Sequence, residues 1–332
     1  MTVDPVSVGT SRQPKSNIVL RDMGSFYVGG RKVLVEDLPP QEVLFSPKGA
    51  PAQVDPNGEY WVEQMYAQYF MLAEPTAKVP MLLWHGGGST GTTYETTPDG
   101  RDGWVNIFLR LGWSVYCSDA VERGRSGWPA LPVRVWDGDA IRASDRDVAR
   151  RARFGGDGSV GSFGESSQFP KEHFDAFLKG SVPRWLTTDE PTYRAYLELV
   201  TQVGPSVVVV TSQGGQFGCR VATAASDKVK ALVLVEPAQV GDLRDAHKLV
   251  GVPVLILFGD FIDTDPRWQA NRDRAQAYVN AINAAGGTAE LLNLPDLGIE
   301  GNSHCLMAEQ NNDVVAKLIH VWLGKRSLLA LP

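Results

Sequence analysis

At 332 residues, 43% hydrophobic and 21% charged, the chain has the proportions of a soluble globular protein, which excludes fibrous and disordered classes. At roughly 150 residues per domain it holds either one large domain with an insertion or two modest ones. A net charge of −6 speaks against nucleic acid and anionic membrane surfaces as partners, and no apolar run approaches the roughly 18 residues a membrane-spanning helix needs.

In chain order, residues 1–16 are polar, lack the apolar stretch of a secretory signal and read as a flexible tail. Residues 17–75 carry strand-like stretches at 42–45 and 60–72, punctuated by Gly29-Gly30 and Pro39-Pro40, as expected of an antiparallel leading edge. From there, short apolar runs at 81–84, 114–118, 206–210, 231–235, 253–258 and 289–294 predict buried strands. Helical patterns at 103–111, 192–203, 213–225, 267–285 and 312–323 lie between them. This alternation predicts an α/β fold whose mostly parallel sheet is covered on both faces.

Residues 128–191 break the pattern, with GGDGSVGSFGESS at their centre and no convincing strand. They read as an inserted cap or lid. Arg142, Arg146, Arg150, Arg151 and Arg153 are interleaved there with Asp139, Asp145 and Asp147, which reads as a solvated helix face. The cap aromatics Trp128, Phe154, Phe163, Phe169, Phe174 and Trp185 point to an apolar pocket. Gly156 to Gly161 matches a dinucleotide fingerprint, but without the strand and helix that motif requires it is a loop.

A serine nucleophile needs a sharp strand-to-helix turn, conventionally G-x-S-x-G. The literal match, Gly87-Gly88-Ser89-Thr90-Gly91, is followed by turn formers and β-branched residues that supply no helix. Ser212 has the better context: the apolar run PSVVVV before it, and the small-residue helix GGQFGCRVATAAS after Gln213. Val210 stands where the motif has glycine, and Gly214 and Gly215 partly restore it. Only His247, His304 and His320 follow Ser212. His320 sits within a helix and His247 in a polar helix-like stretch, whereas His304 lies in a loop after the last strand, where a base is presented. For the acid, Glu236 and Asp260 or Asp263 stand at two strand ends, and the pattern leaves the choice open. His85-Gly86-Gly87-Gly88 matches an oxyanion loop, with Gly87 and Gln213 as backbone donors; Gly124 to Gly127 reads as a structural turn.

These features predict an α/β-hydrolase fold, with a core of residues 17–127 and 192–326 and a cap of residues 128–191. The expected activity is hydrolysis of a small-molecule carboxylic ester or lactone through an acyl-enzyme. An acyltransferase, a C–C bond hydrolase on the same triad and a non-catalytic ligand receptor are the alternatives. No metal or cofactor motif is present, so none is expected. Cys117, Cys219 and Cys305 form no CxxC pair and suit a reducing, cytoplasmic setting. A homodimer is the expected assembly if the chain associates.

The stretches SFYVGGR, HGG, YETTPDGRDGW, RGRS, the SQ turn, VEP, FGD with PRW, NAAGG and GNSH followed by NN resemble the atypical bacterial esterase family typified by the Alcaligenes esterase. The resemblance covers most of the chain, departing at glycines 87, 88 and 214 and in the cap. It implies that the glutamate of VEP, Glu236, completes the triad, with Asp260 as runner-up.

Overall fold

Valine- and leucine-rich segments bounded by glycine, proline or acidic residues form strands here because helices on both sides of the sheet take their side chains out of water. The computed structural model describes residues 16–129, 133, 135 and 138–330; the expected tail therefore lies almost wholly outside the described residues. The chain begins with β1 (Leu20–Val35), β2 (Gln41–Val43), β3 (Ala52–Val54), β4 (Gly58–Leu72) and β5 (Met81–Trp84), followed by α1 (Trp104–Arg110) and β6 (Val115–Asp119). Then come α2 (Asp145–Ala152), α3 (Phe174–Lys179), α4 (Asp189–Val203), β7 (Ser206–Thr211), α5 (Gly214–Ala224) and β8 (Val229–Val235). The last elements are β9 (Val254–Phe258), α6 (Pro266–Ala284), β10 (Ala289–Asn293) and α7 (Asn312–Gly324).

Eight strands form one sheet in the order β1-β4-β6-β5-β7-β8-β9-β10. The pairs β1/β4 and β4/β6 are antiparallel, and every pair from β6 to β10 is parallel. Alternate residues feed the two cores. Leu82, Trp84, Val208, Val210 and Leu234 pack under α4, α5 and α6, while Met81, Leu83, Val207, Val209 and Val233 pack against α1 and α7.

One element differs from the sequence expectation. β1 has no apolar run, because it is an edge strand with much of its length exposed. Gly29 and Gly30 do not punctuate it but lie within it at positive φ, opposite Glu63, which is itself at φ 64. Helices α2 and α3 occupy the segment between β6 and α4, where Ser144 caps α2 through the Asp147 N–H.

The chain leaves β5 for β6 on one side, and β7 joins β5 on the other. The C-terminal ends of β5 and β7 therefore flank a topological switch point, where open α/β sheets place their ligands. Among the described residues no helix is long and apolar enough to cross a membrane.

Candidate active site

Ser212 sits between β7 and α5 at φ 54, a left-handed conformation that costs a non-glycine residue roughly 1–3 kcal/mol and persists only where the surroundings impose it. They do so through three backbone hydrogen bonds. The Ser212 N–H donates to Val235 O at 3.0 Å, and its carbonyl accepts from the N–H groups of Gly215 at 3.0 Å and Ala238 at 3.1 Å. Gly86 must be glycine, since a Cβ there would lie 2.9 Å from Ser212 Cβ. The valine at 210 is accommodated from the opposite side: Cβ atoms at Gly214 and Gly218 would stand 3.3 and 3.0 Å from its side chain. The small residues this turn requires are thus supplied by the helix.

Ser89 has a different environment. Its Oγ donates to Gly86 O at 3.1 Å, and a short 3-10 turn, Gly91–Tyr94, follows in place of an α-helix. It lines the same cavity as Ser212 without a helix N-terminus behind it.

His304 occupies the loop between β10 and α7. Its N–H donates to Ala152 O at 2.8 Å, and its ring Nδ1 donates to Glu236 Oε2 at 3.1 Å, leaving Nε2 as the basic nitrogen. Glu236 ends β8 with no exposed side-chain surface. Its Oε1 accepts from the Gly259 N–H at 2.6 Å, and Arg153 Nη2 donates to Oε1 and Oε2 at 2.8 and 2.9 Å. Burial opposes the charge on Glu236, but Arg153, His304 and Gly259 outweigh it and hold its pKa below the ordinary carboxylate value. For His304, burial lowers the pKa; Glu236 pulls the other way without overcoming it.

The other acids at strand ends are occupied elsewhere. Asp260 accepts from the N–H groups of Phe261 at 2.7 Å and Gly301 at 3.1 Å, and Asp263 pairs with Arg272 at 2.8 Å. His247 bonds Arg244 O from a 3-10 turn, and His320 accepts from Trp113 Nε1.

Gly87 and Gln213 face each other across the switch point, since a Cβ at Gly87 would lie 2.9 Å from both Gln213 Oε1 and Arg184 Nη1. Arg184 Nη1 donates to Gln213 Oε1. His85 holds the glycine loop in place: Nδ1 donates to Gly86 O at 2.8 Å, and Nε2 accepts from the Ala120 N–H at 3.0 Å. Burial, with Arg123 nearby, lowers the His85 pKa to about 4, so the ring is neutral. Gly124–Ser126 is the structural turn expected; Asp119 accepts there from the Arg125 N–H and Nε.

Two sequence readings of the cap need correction. Arg153 is not on a solvated face: it ends α2 in a left-handed conformation, at φ 55 and ψ 55, that turns its side chain inward, leaving it 1% exposed against Glu236. Arg142 and Arg151 line the cavity. The six cap aromatics named from the sequence do not line it, whereas Phe177 of α3 and Trp268 of α6 do. Phe154, Phe163, Phe169 and Phe174 stack on one another as a small core against Cys305 and Ala308, and Trp128 packs on Trp185. Phe177 connects that small core to the cavity, packing on Phe169 and lining the wall.

Sequence reasoning also missed Glu309, which accepts from the Ser303 N–H and Asn302 Nδ2 and so braces the loop before His304. Burial pushes its carboxyl up to about 7. Its position after the GNSH motif was the available signal. Ser212, His304 and the Gly86 to Ser89 loop share one cavity of about 1150 Å3, lined also by residues from the cap and α6.

No family model matches the chain. The solved structure of a novel bacterial esterase superposes with a TM-score of 0.83 at 34% identity, covering 96% of this chain and 100% of that one. A probable secreted lipase, phiG, from Fungal sp. (strain ATCC 74256) is 27% identical over 332 residues, which is 81% of this chain and 88% of the lipase. With that full-length likeness to the bacterial esterase on a mostly parallel sheet, the chain belongs to the atypical bacterial esterase family of α/β-hydrolases, the carboxylic ester hydrolases.

Proposed function

We propose that the protein hydrolyses a carboxylic ester or lactone through an acyl-enzyme on Ser212, with His304 as proton carrier, Glu236 orienting His304, and the Gly87 and Gln213 N–H groups as oxyanion donors. Ser212 Oγ attacks the carbonyl carbon while His304 Nε2 takes its proton. The alkoxide leaves with that proton, staying tethered to the acyl group if the substrate is a lactone. Water then gives its proton to His304 and releases the acid, which regenerates Ser212. The positive end of the α5 dipole and the paired donors favour the tetrahedral oxyanion, and removing one such donor costs on the order of a hundredfold to a thousandfold in rate.

The observation that carries this reading is the buried Glu236 to His304 hydrogen bond of 3.1 Å, beside the cavity that His304 and Ser212 both line. Ser212→Ala is expected to abolish turnover of an activated aryl ester, with Ser89→Ala retaining most of it. The reverse pattern would overturn the assignment. A burst of aryl alcohol stoichiometric with enzyme reports the acyl-enzyme and excludes a mere receptor.

We take the cap to be the segment 128–191, fastened to the core by Ala152 O on the His304 N–H and by Arg153 on Glu236. The cytoplasmic reading is supported by three cysteines that are all free and buried; fractionation of producing cells tests it against the secreted location of the fungal relative.

A further inference from the structure

We infer that the ester taken by this site carries a negatively charged group, a carboxylate on its acyl portion, which arginines of the cavity wall bind beside the reacting carbonyl. This rests on the reading of Ser212 as nucleophile. It starts from a contrast in charge. The chain carries 38 acidic against 32 basic side chains, yet the described wall of the cavity holds Arg142, Arg151, Arg184, Arg267 and Arg274, with only two acids, Asp147 and Asp189. The rest of the wall is largely apolar, with Val148, Phe177, Leu186 and Trp268 among its residues, so these arginines are the charged groups a ligand would meet there.

Both acids are already engaged. Asp147 pairs with Arg150 and Arg151 at 2.7 Å each, and Asp189 accepts from the amides of Gln216 at 3.0 Å and Gln213 at 3.4 Å. Among the described residues, Arg142, Arg184 and Arg274 have no carboxylate within ion-pairing distance, and Arg267 has only a loose partner, Asp265, at 3.9 Å. Arg184 matters most. It is half-buried, its Nη1 is held by the Gln213 side chain, and it lies against Gly87. Asp189 and Glu122 act on Arg184 only from beyond contact distance, and burial with the neighbouring Arg123 outweighs them; a bound carboxylate would meet its donor fork directly in two parallel hydrogen bonds. Because Arg184 adjoins the oxyanion donors, the carboxylate belongs a few carbons from the scissile carbonyl, as in the half-ester of a short dicarboxylic acid.

The test compares mono-4-nitrophenyl adipate with its methyl-capped counterpart, which keeps the leaving group and chain but removes the charge. Each rate is corrected for spontaneous hydrolysis. The native enzyme is expected to favour the anionic ester at least tenfold in kcat/KM at low salt, with the preference shrinking as sodium chloride is added. Loss of one charge-assisted anchor is expected to cut the anionic-to-neutral ratio roughly tenfold to a hundredfold in Arg184→Gln. A smaller drop is expected in Arg274→Gln, an exposed position that tolerates the change, and none in Arg146→Gln, which lies outside the cavity. Equal or better turnover of the capped ester by the native enzyme overturns the inference. If neither ester turns over, the Ser212 reading has failed. Titration of adipate into Ser212→Ala then decides the anion site by itself: saturable binding weakened by Arg184→Gln supports it, and no binding at millimolar adipate overturns it.

Discussion

A carboxylate with no exposed surface, as Glu236 is, keeps its charge only if the protein supplies what water would. Arg153 is the largest of those contributions, and its guanidinium lies 4.4 Å above the Trp268 ring, which in turn packs against His304. The same cation that stabilises Glu236 also lowers the His304 pKa. Acylation requires neutral His304, so kcat/KM rises with pH through that pKa, and the acid limb of the native enzyme is expected below the ordinary imidazole value of about 6.5. Arg153→Met leaves a buried acid uncompensated and removes the repulsion on His304. Its kcat is expected to fall by about tenfold to a hundredfold and its acid limb to move to higher pH, while Arg153→Lys recovers most of both. A bracing role alone would lower the active fraction and leave the limb where it was; pH profiles of the three proteins distinguish the two.

At the scale of elements, the loop from β10 to α7 depends on Glu309 as an acceptor for two donors, the Ser303 N–H and Asn302 Nδ2. Glu309→Gln must present its NH2 to one of them, at a cost of roughly 1–3 kcal/mol for the unsatisfied group, and both Tm and kcat are expected to drop. The folded pKa of about 7 lies above the unfolded value near 4.5, so the stability linked to this proton is complete below about 4.5 and lost as pH rises through about 7. The stability advantage of the native enzyme over Glu309→Gln should therefore narrow from pH 5 to pH 8, as thermal melts at several pH values would show. Elements buried on both faces, such as β5 and β7, were legible because their apolar runs have few other readings. β1 was not, since an edge strand half in water carries polar residues. The serine and histidine were legible from chain order and from the strand-turn-helix pattern around Ser212. The choice between Glu236 and Asp260 was open in the residue pattern because both stand at strand ends, and only the folded chain shows Asp260 occupied by two N–H groups. Arg153 was misread because its partner is 83 residues away and the inward turn at the end of α2 leaves no local periodicity.

For the whole molecule, stability and site geometry meet at the switch point, where the ends of β5, β6 and β7 must keep fixed distances for the oxyanion loop to face Ser212. Tyr94 ties Trp84 O to Thr211 Oγ1 at 2.9 and 2.6 Å, and His85 ties the glycine loop to Ala120. The His85 link works only while the ring is neutral, because a proton on Nε2 removes the acceptor for the Ala120 N–H. Its folded pKa of about 4 lies below the unfolded value of 6.5. The linked stability is therefore present above about 6.5 and lost as pH falls through 4. His85→Gln offers a donor and an acceptor that do not titrate. Urea unfolding is expected to show the native enzyme more stable than this variant at pH 7.5, with the gap closing toward pH 4. Comparison with the variant cancels the other buried groups, including His304, that also lose stability in acid. A gap that stays constant across that range would mean that the glycine loop is held by contacts other than the His85 ring.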